Sequence, residues 1–234
     1  MSILQRRERE KKKRRQDIIN AAEKLFFSKG YDNVSMNDIA REVELSKATL
    51  YLYFQNKETL FFAIVVKGTR LLNSMIRDNI DDNLNGLEKV NAYRNAYYDF
   101  TRKYPDYIHI YNYFQSGRFS PPQSDILKSN KAGEEEEEDS SLSYVSECAE
   151  EVLRLRNERF FILQKSIEEG IADGTIRPDI DPVETAILLS AISKSLSHIP
   201  SDHERLLQKR GISHDQYFQD VSEFILLMIK NLNP

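Results

Sequence analysis

Apolar and polar residues alternate at the helical period along most of the chain. From Gln16 to Lys29, the residues Ile18, Ile19, Ala22, Leu25 and Phe26 share one helical face. Gly30 follows, where a left-handed residue ends a helix. Ser35, with Asp38 three positions on, predicts a capped second helix that buries Ile39, Ala40 and Val43. Ser46 predicts a third, from Lys47 to Phe54, burying Leu50 and Phe54. Asn56 caps a fourth, which starts at Lys57 and runs toward Asn79. Further on, Pro105 suits the first turn of a new helix. Asp181-Pro182 opens another to about His198, and a last one spans His214 to Leu232. No stretch shows sustained two-residue alternation between hairpin turns. The predicted class is all-α.

The second and third helices are each about two turns long. The Glu44-Leu45 connection is too short to let them lie antiparallel, and Ala40 is small enough for close packing. Such a pair makes a helix-turn-helix. The face of the third helix left for solvent carries Lys47, Ala48, Thr49, Tyr51, Leu52 and Tyr53, with no acidic residue from Ser46 to Lys57. A face of donors, aromatics and apolar groups without negative charge suits a groove lined by phosphates.

Charge sharpens the picture. The chain has 33 Lys/Arg and 37 Asp/Glu, a net of −4 over 234 residues. Residues 1–60 hold 13 Lys/Arg against 9 Asp/Glu, so they carry +4, and the remainder carries −8. Eight of those cations lie between Arg6 and Arg15, a basic arm (1–15) that releases counterions from phosphate. At the other extreme, Glu134 to Asp139 is an unbroken acidic run inside residues 116–141, which also hold Pro121 and Pro122. Like-charge repulsion with nothing apolar to bury predicts a mobile loop there.

The single Cys148 supports neither an intramolecular disulfide nor a cysteine-based zinc site, which predicts a cytoplasmic location. No run approaches the ~18 apolar residues of a membrane span, and Met1 to Arg15 lacks the apolar stretch of a signal peptide. No membrane partner is expected. There is no Gly-rich phosphate loop, no G-x-S-x-G and no H-E-x-x-H. His109, His198, His203 and His214 give no metal-ligand pair at helical spacing. The expectation is no enzyme, no catalytic residue, no metal and no cofactor.

Residues 12–62 resemble the DNA-binding domain of TetR-family transcriptional regulators. The likeness rests on Gly30-Tyr31, Val34 to Ala40, and above all Thr49-Leu50-Tyr51-x-Tyr53-Phe54-x-Asn56-Lys57. It implies a three-helix reading head (16–60), a connecting fourth helix, and a helical ligand-binding and dimerisation domain (61–234). It also implies that Asn37, Lys47, Ala48, Thr49 and Tyr53 approach base edges, while Ser35 or Met36, Tyr51 and Lys57 grip phosphates. Lys57 suits a phosphate unaided, because a cation stands beside the free amides of a helix N-terminus. The expected partners are a double-stranded DNA operator, an unidentified small-molecule effector and a second copy of the chain. The implied activity is repression with release by the effector. A non-specific architectural DNA binder relying on the basic arm is the alternative.

Tyr93, Tyr97, Phe100, Tyr104, Tyr107, Tyr111 and Phe114 recur every three or four residues, so they share a face across the Pro105 break. Core packing explains such a stripe, but five tyrosine hydroxyls need partners, and Tyr98, Tyr113 and His109 add polar groups nearby. The expected effector pocket is therefore Tyr93, Tyr97, Phe100, Tyr104, Tyr107, His109 and Tyr111, stacking on a flat aromatic or cationic ligand. For dimerisation, the helix after Asp181 is apolar all round, with Ala186, Ser190, Ser193 and Ser197 forming a stripe of small residues. The last helix adds Tyr217, Val221, Phe224 and Met228 at heptad-like spacing. These two helices from each subunit would make a four-helix interface.

Overall fold

A computed structural model describes residues 3–116, 118, 140–196 and 199–232. The acidic run Glu134 to Asp139, together with Ser197 and His198, lies outside the described residues. The described chain forms α1 (Ile3–Lys29), α2 (Met36–Glu42), α3 (Lys47–Tyr51), α4 (Lys57–Asn79), α5 (Gly86–Lys103), α6 (Pro105–Gln115), α7 (Ser140–Ala172), α8 (Pro182–Leu196), α9 (Ser201–Lys209) and α10 (His214–Ile229). Extended pairing among the described residues is one isolated antiparallel bridge, Ile176 with Lys230. The fold is all-α, an N-terminal helix-turn-helix domain followed by a helical C-terminal region.

Three helix ends differ from their predicted positions. The basic arm is helical, because α1 runs unbroken from Ile3. α3 stops at Tyr51, where the amides of Tyr53 and Phe54 both turn back to the Leu50 carbonyl. α10 stops at Ile229, where Lys230 becomes extended for its bridge to Ile176. α4 is long enough, and its mean hydropathy high enough, to cross a membrane, although Lys67, Arg70 and Asn73 interrupt its apolar run. However, 72% of that stretch is buried inside the protein, as in a core helix.

The chain divides into two compact units. The first comprises Met1–Thr69 and Asp106–Arg154, so nearly all of α6 belongs with the helix-turn-helix. Its core joins Ile18, Ala22 and Phe26 of α1, Ile39 of α2, Leu50 of α3 and Leu60 to Ile64 of α4. The second comprises Arg70–Pro105 and Leu155–Pro234. There α5 packs against α8 and α10 around Tyr98, Leu196 and Phe218. The Tyr98 and Phe218 rings stack 3.8 Å apart and 9° from parallel. Where α5 begins, a side chain on Gly86 would strike the Gly170 backbone of α7, so only glycine permits that approach.

Candidate nucleic-acid interface

The reading head is assembled by local signals visible in the sequence. Gly30 ends α1 at φ +77°. Ser35 and Asp38 form a complete capping box, with the Ser35 amide donating to the Asp38 carboxylate at 2.9 Å and the Asp38 amide donating to Ser35 Oγ at 3.2 Å. The hydrogen bonds from the Ser35 side chain and backbone hold the Asp38 carboxyl below its ordinary range. Between α2 and α3, Glu44 adopts φ +54°, a left-handed position for a residue with a Cβ. Ser46 then caps α3 through the Thr49 amide at 3.1 Å, and its hydroxyl lies 2.7 Å from that of Thr49.

This scaffold buries Leu50 fully and leaves the opposite face of α3 open. Lys47, Ala48 and Tyr51 are exposed, Thr49 and Tyr53 are half-buried, and Leu52 is 81% exposed. Lys47 Nζ sits 5.8 Å from the Tyr51 ring centre. On α2, Ser35 and Asn37 are exposed, whereas Met36 is 8% exposed and packs into the core. Lys57 is half-buried. Its ammonium donates to the Tyr31 carbonyl at 2.9 Å and lies 4.1 Å from the Tyr31 ring centre, so it fastens α4 to the α1–α2 loop. Burial, and after it the Glu58 charge, pushes the Tyr31 phenol up to about 12. From Arg6 to Arg14 the side chains of α1 are exposed, and Arg15 sits 4.7 Å over the Phe54 ring.

The aromatic stripe is distributed between the units. Tyr93 and Phe100 are buried in the second, where Tyr97 and Tyr104 are half-buried. Tyr107 is buried in the first, where Tyr111 is half-buried and His109 exposed. Tyr107 meets Phe27 of α1 edge-on at 5.2 Å. Tyr113, expected only as a polar group near the pocket, contacts Tyr31 at 5.5 Å and Phe61 at 5.6 Å and donates to Asp32 at 2.9 Å. Its place six residues after Tyr107, between the two faces of a helix, gave little sign of this.

Within the second unit, α5, α7 and α8 border a half-open cavity of about 500 Å³. Tyr93 and Ser190 line it, with Arg156, Arg159 and Lys194. Burial pushes the Tyr93 phenol up to about 12, while Arg159 acts in the opposite sense. On α8, Ala186 and Ser193 turn into the interior and Ser190 is half-buried, whereas Val183, Ile187 and Leu188 are exposed. On α10, Tyr217 and Val221 pack against the Tyr98–Leu196–Phe218 core, and Phe224, Leu227 and Met228 point outward. Among the described residues, no three His, Cys, Asp or Glu gather as a metal site.

Residues 18–64 match the model of the bacterial regulatory proteins of the tetR family. The biofilm operon icaADBC HTH-type negative transcriptional regulator IcaR of Staphylococcus epidermidis is 36% identical over 66 residues, 28% of this chain and 36% of its own length. The chain thus spans about a third of that curated relative. Two solved structures share the fold over nearly the whole chain. A TetR/AcrR-family transcriptional regulator from Thermobifida fusca YX-ER1 has a TM-score of 0.66 at 21% identity, covering 92% of this chain and 97% of its own. AibR, solved in complex with isovaleryl coenzyme A and operator DNA, has a TM-score of 0.60 at 20% identity, covering 90% and 97%.

Proposed function

We propose that this chain, whose residues 18–64 match the bacterial regulatory proteins of the tetR family, is a member of that family and a cytoplasmic, dimeric repressor that reads a palindromic operator and is released by a small-molecule effector. The observation that carries this reading is the exposed, acid-free face of α3, held on a fully buried Leu50 and two serine caps. Lys47, Ala48, Thr49, Tyr53 and Asn37 meet base edges, and Ser35 and Tyr51 meet phosphates. The exposed cations of α1 add affinity that does not depend on sequence. Met36 and Lys57 act from beneath, Met36 by filling the core and Lys57 by fixing the loop that precedes α2.

Dimerisation has support in the outward faces of α8 and α10. Val183, Ile187 and Leu188 on one, and Phe224, Leu227 and Met228 on the other, are 42–70% exposed. Contiguous apolar residues left in water mark an interaction surface. The partner would meet these larger side chains together with Ser190, while Ala186 and Ser193 serve the subunit's own packing. A symmetric pair of reading heads one helical turn apart, ~34–36 Å, matches a palindrome.

The effector would occupy the second unit, where Tyr93 lines the α5–α7–α8 cavity. AibR has been solved with both a coenzyme A thioester and its operator, which supports the pairing of the two kinds of ligand on this fold. Effector that binds the weakly DNA-binding arrangement better must weaken DNA binding by the same coupling energy. α4 and α7 each carry residues of both units and offer covalent routes for that coupling. Selection of bound duplexes from a random pool tests the proposal. It should return a palindrome, and sequences without two-fold symmetry would refute a dimeric reader.

A further inference from the structure

The α5–α7–α8 cavity has an uneven charge. Three cations line it, Arg156 and Arg159 from α7 and Lys194 from α8, and no Asp or Glu does. Its apolar wall comes from Tyr93, Phe160 and Ile187. Arg159 is 7% exposed and is held in place, donating to Asn73 Oδ1 at 3.0 Å, while Asn73 in turn donates to the Leu155 carbonyl at 2.8 Å. Burial, and after it the charges of Arg156 and Arg159, holds the Lys194 ammonium below its ordinary range. Three like charges gathered at a half-apolar cavity repel one another, and an anion placed among them relieves that repulsion. A guanidinium with its position fixed by hydrogen bonds gives such an anion a rigid fork to meet.

We infer that this cavity binds a ligand with an anionic carboxylate or phosphate head and an apolar body, the head lying among Arg156, Arg159 and Lys194 and the body against Tyr93, Phe160 and Ile187. The inference rests on the effector reading above and reverses the ligand charge that the aromatic stripe suggested. A half-open cavity of about 500 Å³ has room for a small organic ligand.

The test compares dodecanoate, dodecyl phosphate and neutral dodecanol, each below its aggregation limit and at one ionic strength. Binding to the whole 234-residue chain is read by calorimetry and thermal shift. At least one anion should raise the melting temperature and bind at least tenfold more tightly than dodecanol. Which of the two does so separates a carboxylate from a phosphate site. The double variant Lys194→Gln/Arg156→Gln should lose at least tenfold in anion affinity and leave dodecanol unchanged, while Lys194→Arg should retain most of it. Arg159 and Ile187 stay intact, because the first holds α7 to Asn73 and the second also belongs to the outward face of α8. Equal binding of alcohol and anion, full affinity in the double variant, or no binding of either anion would each overturn the inference. Binding of the selected duplex by the same proteins keeps the two readings apart. If the duplex is held and the anion is not, only the ligand class is wrong; if the wild type has no preferred duplex, the repressor reading itself fails.

Discussion

The Tyr107 hydroxyl on α6 donates to Glu23 Oε2 on α1 at 2.8 Å, the same oxygen that accepts from Lys67 of α4 at 2.7 Å. One carboxylate thus joins the first helix of the reading head to α4 and to an aromatic helix from the middle of the chain. The Tyr107 ring lies so close to Gly68 that a Cβ there would come within 2.4 Å of it.

Gly68→Ala should therefore displace Tyr107 and destabilise the protein by about 1–3 kcal/mol, the usual cost of overpacking. Tyr107→Phe keeps the ring and removes the hydrogen bond, at a cost of about 1 kcal/mol. Thermal denaturation checks both, and the alanine variant should melt at the lower temperature.

Two backbone positions predict opposite signs. Gly30 has φ +77° and no neighbour that a Cβ would touch, so Gly30→Ala should cost about 1–2 kcal/mol through the backbone alone. Glu44 already pays a left-handed penalty at φ +54°, and Glu44→Asn should raise stability by up to about 1 kcal/mol. Urea unfolding midpoints with unchanged slopes would give both values.

Acid should loosen the reading head through Asp38. Its folded-state pKa is depressed by the Ser35 hydrogen bonds, so its stabilising contribution is present above the ordinary carboxylate range and is lost as pH falls through and below it. Asp38→Asn should lack that acid-sensitive part of the stability profile, as measured by melting temperature between pH 7 and pH 3.

Arg94 predicts a gain. It is 1% exposed, its guanidinium nitrogens have no hydrogen-bond partner among the described residues, and burial lowers its pKa to about 10. The Phe218 ring, 5.7 Å away, offers only partial compensation. Arg94→Met should stabilise the protein by about 1–3 kcal/mol at neutral pH, since a charge without a partner is removed from the interior. An equal or lower unfolding midpoint would mean that a ligand or partner charge meets Arg94 in solution.

The parts of this fold that were legible in the sequence are those set by local chemistry. Ser35 with Asp38, Ser46 with Thr49, and Gly30 act within four residues, so the starts of α2 and α3 and the end of α1 could be read directly, whereas the start of α1 and the end of α3 could not. The sequence was silent where tertiary contacts decide. The periodicity of Tyr93 to Phe114 reports a face but not the helices that meet it, so the placement of Tyr107 and Tyr113 against α1, Tyr31 and Phe61 could not be seen. An α8 apolar all round gave no clue that Ala186 faces inward and Ile187 outward. Met36 and Lys57 were assigned to DNA by position, while burial and the Tyr31 carbonyl occupy them in the free protein.

The central claim is that α3 reads sequence, and the sharpest measurement is the affinity ratio between the selected palindrome and a scrambled duplex at fixed salt. The wild type should favour the palindrome by about 10³-fold or more, as specific DNA readers do. Lys47→Ala/Thr49→Ala should lower that ratio by at least tenfold while leaving affinity for the scrambled duplex nearly unchanged, and removal of residues 1–15 should weaken both duplexes alike. A wild-type ratio near one, with all binding lost on removing the basic residues of α1, would contradict the account and leave an arm-driven, non-specific DNA binder.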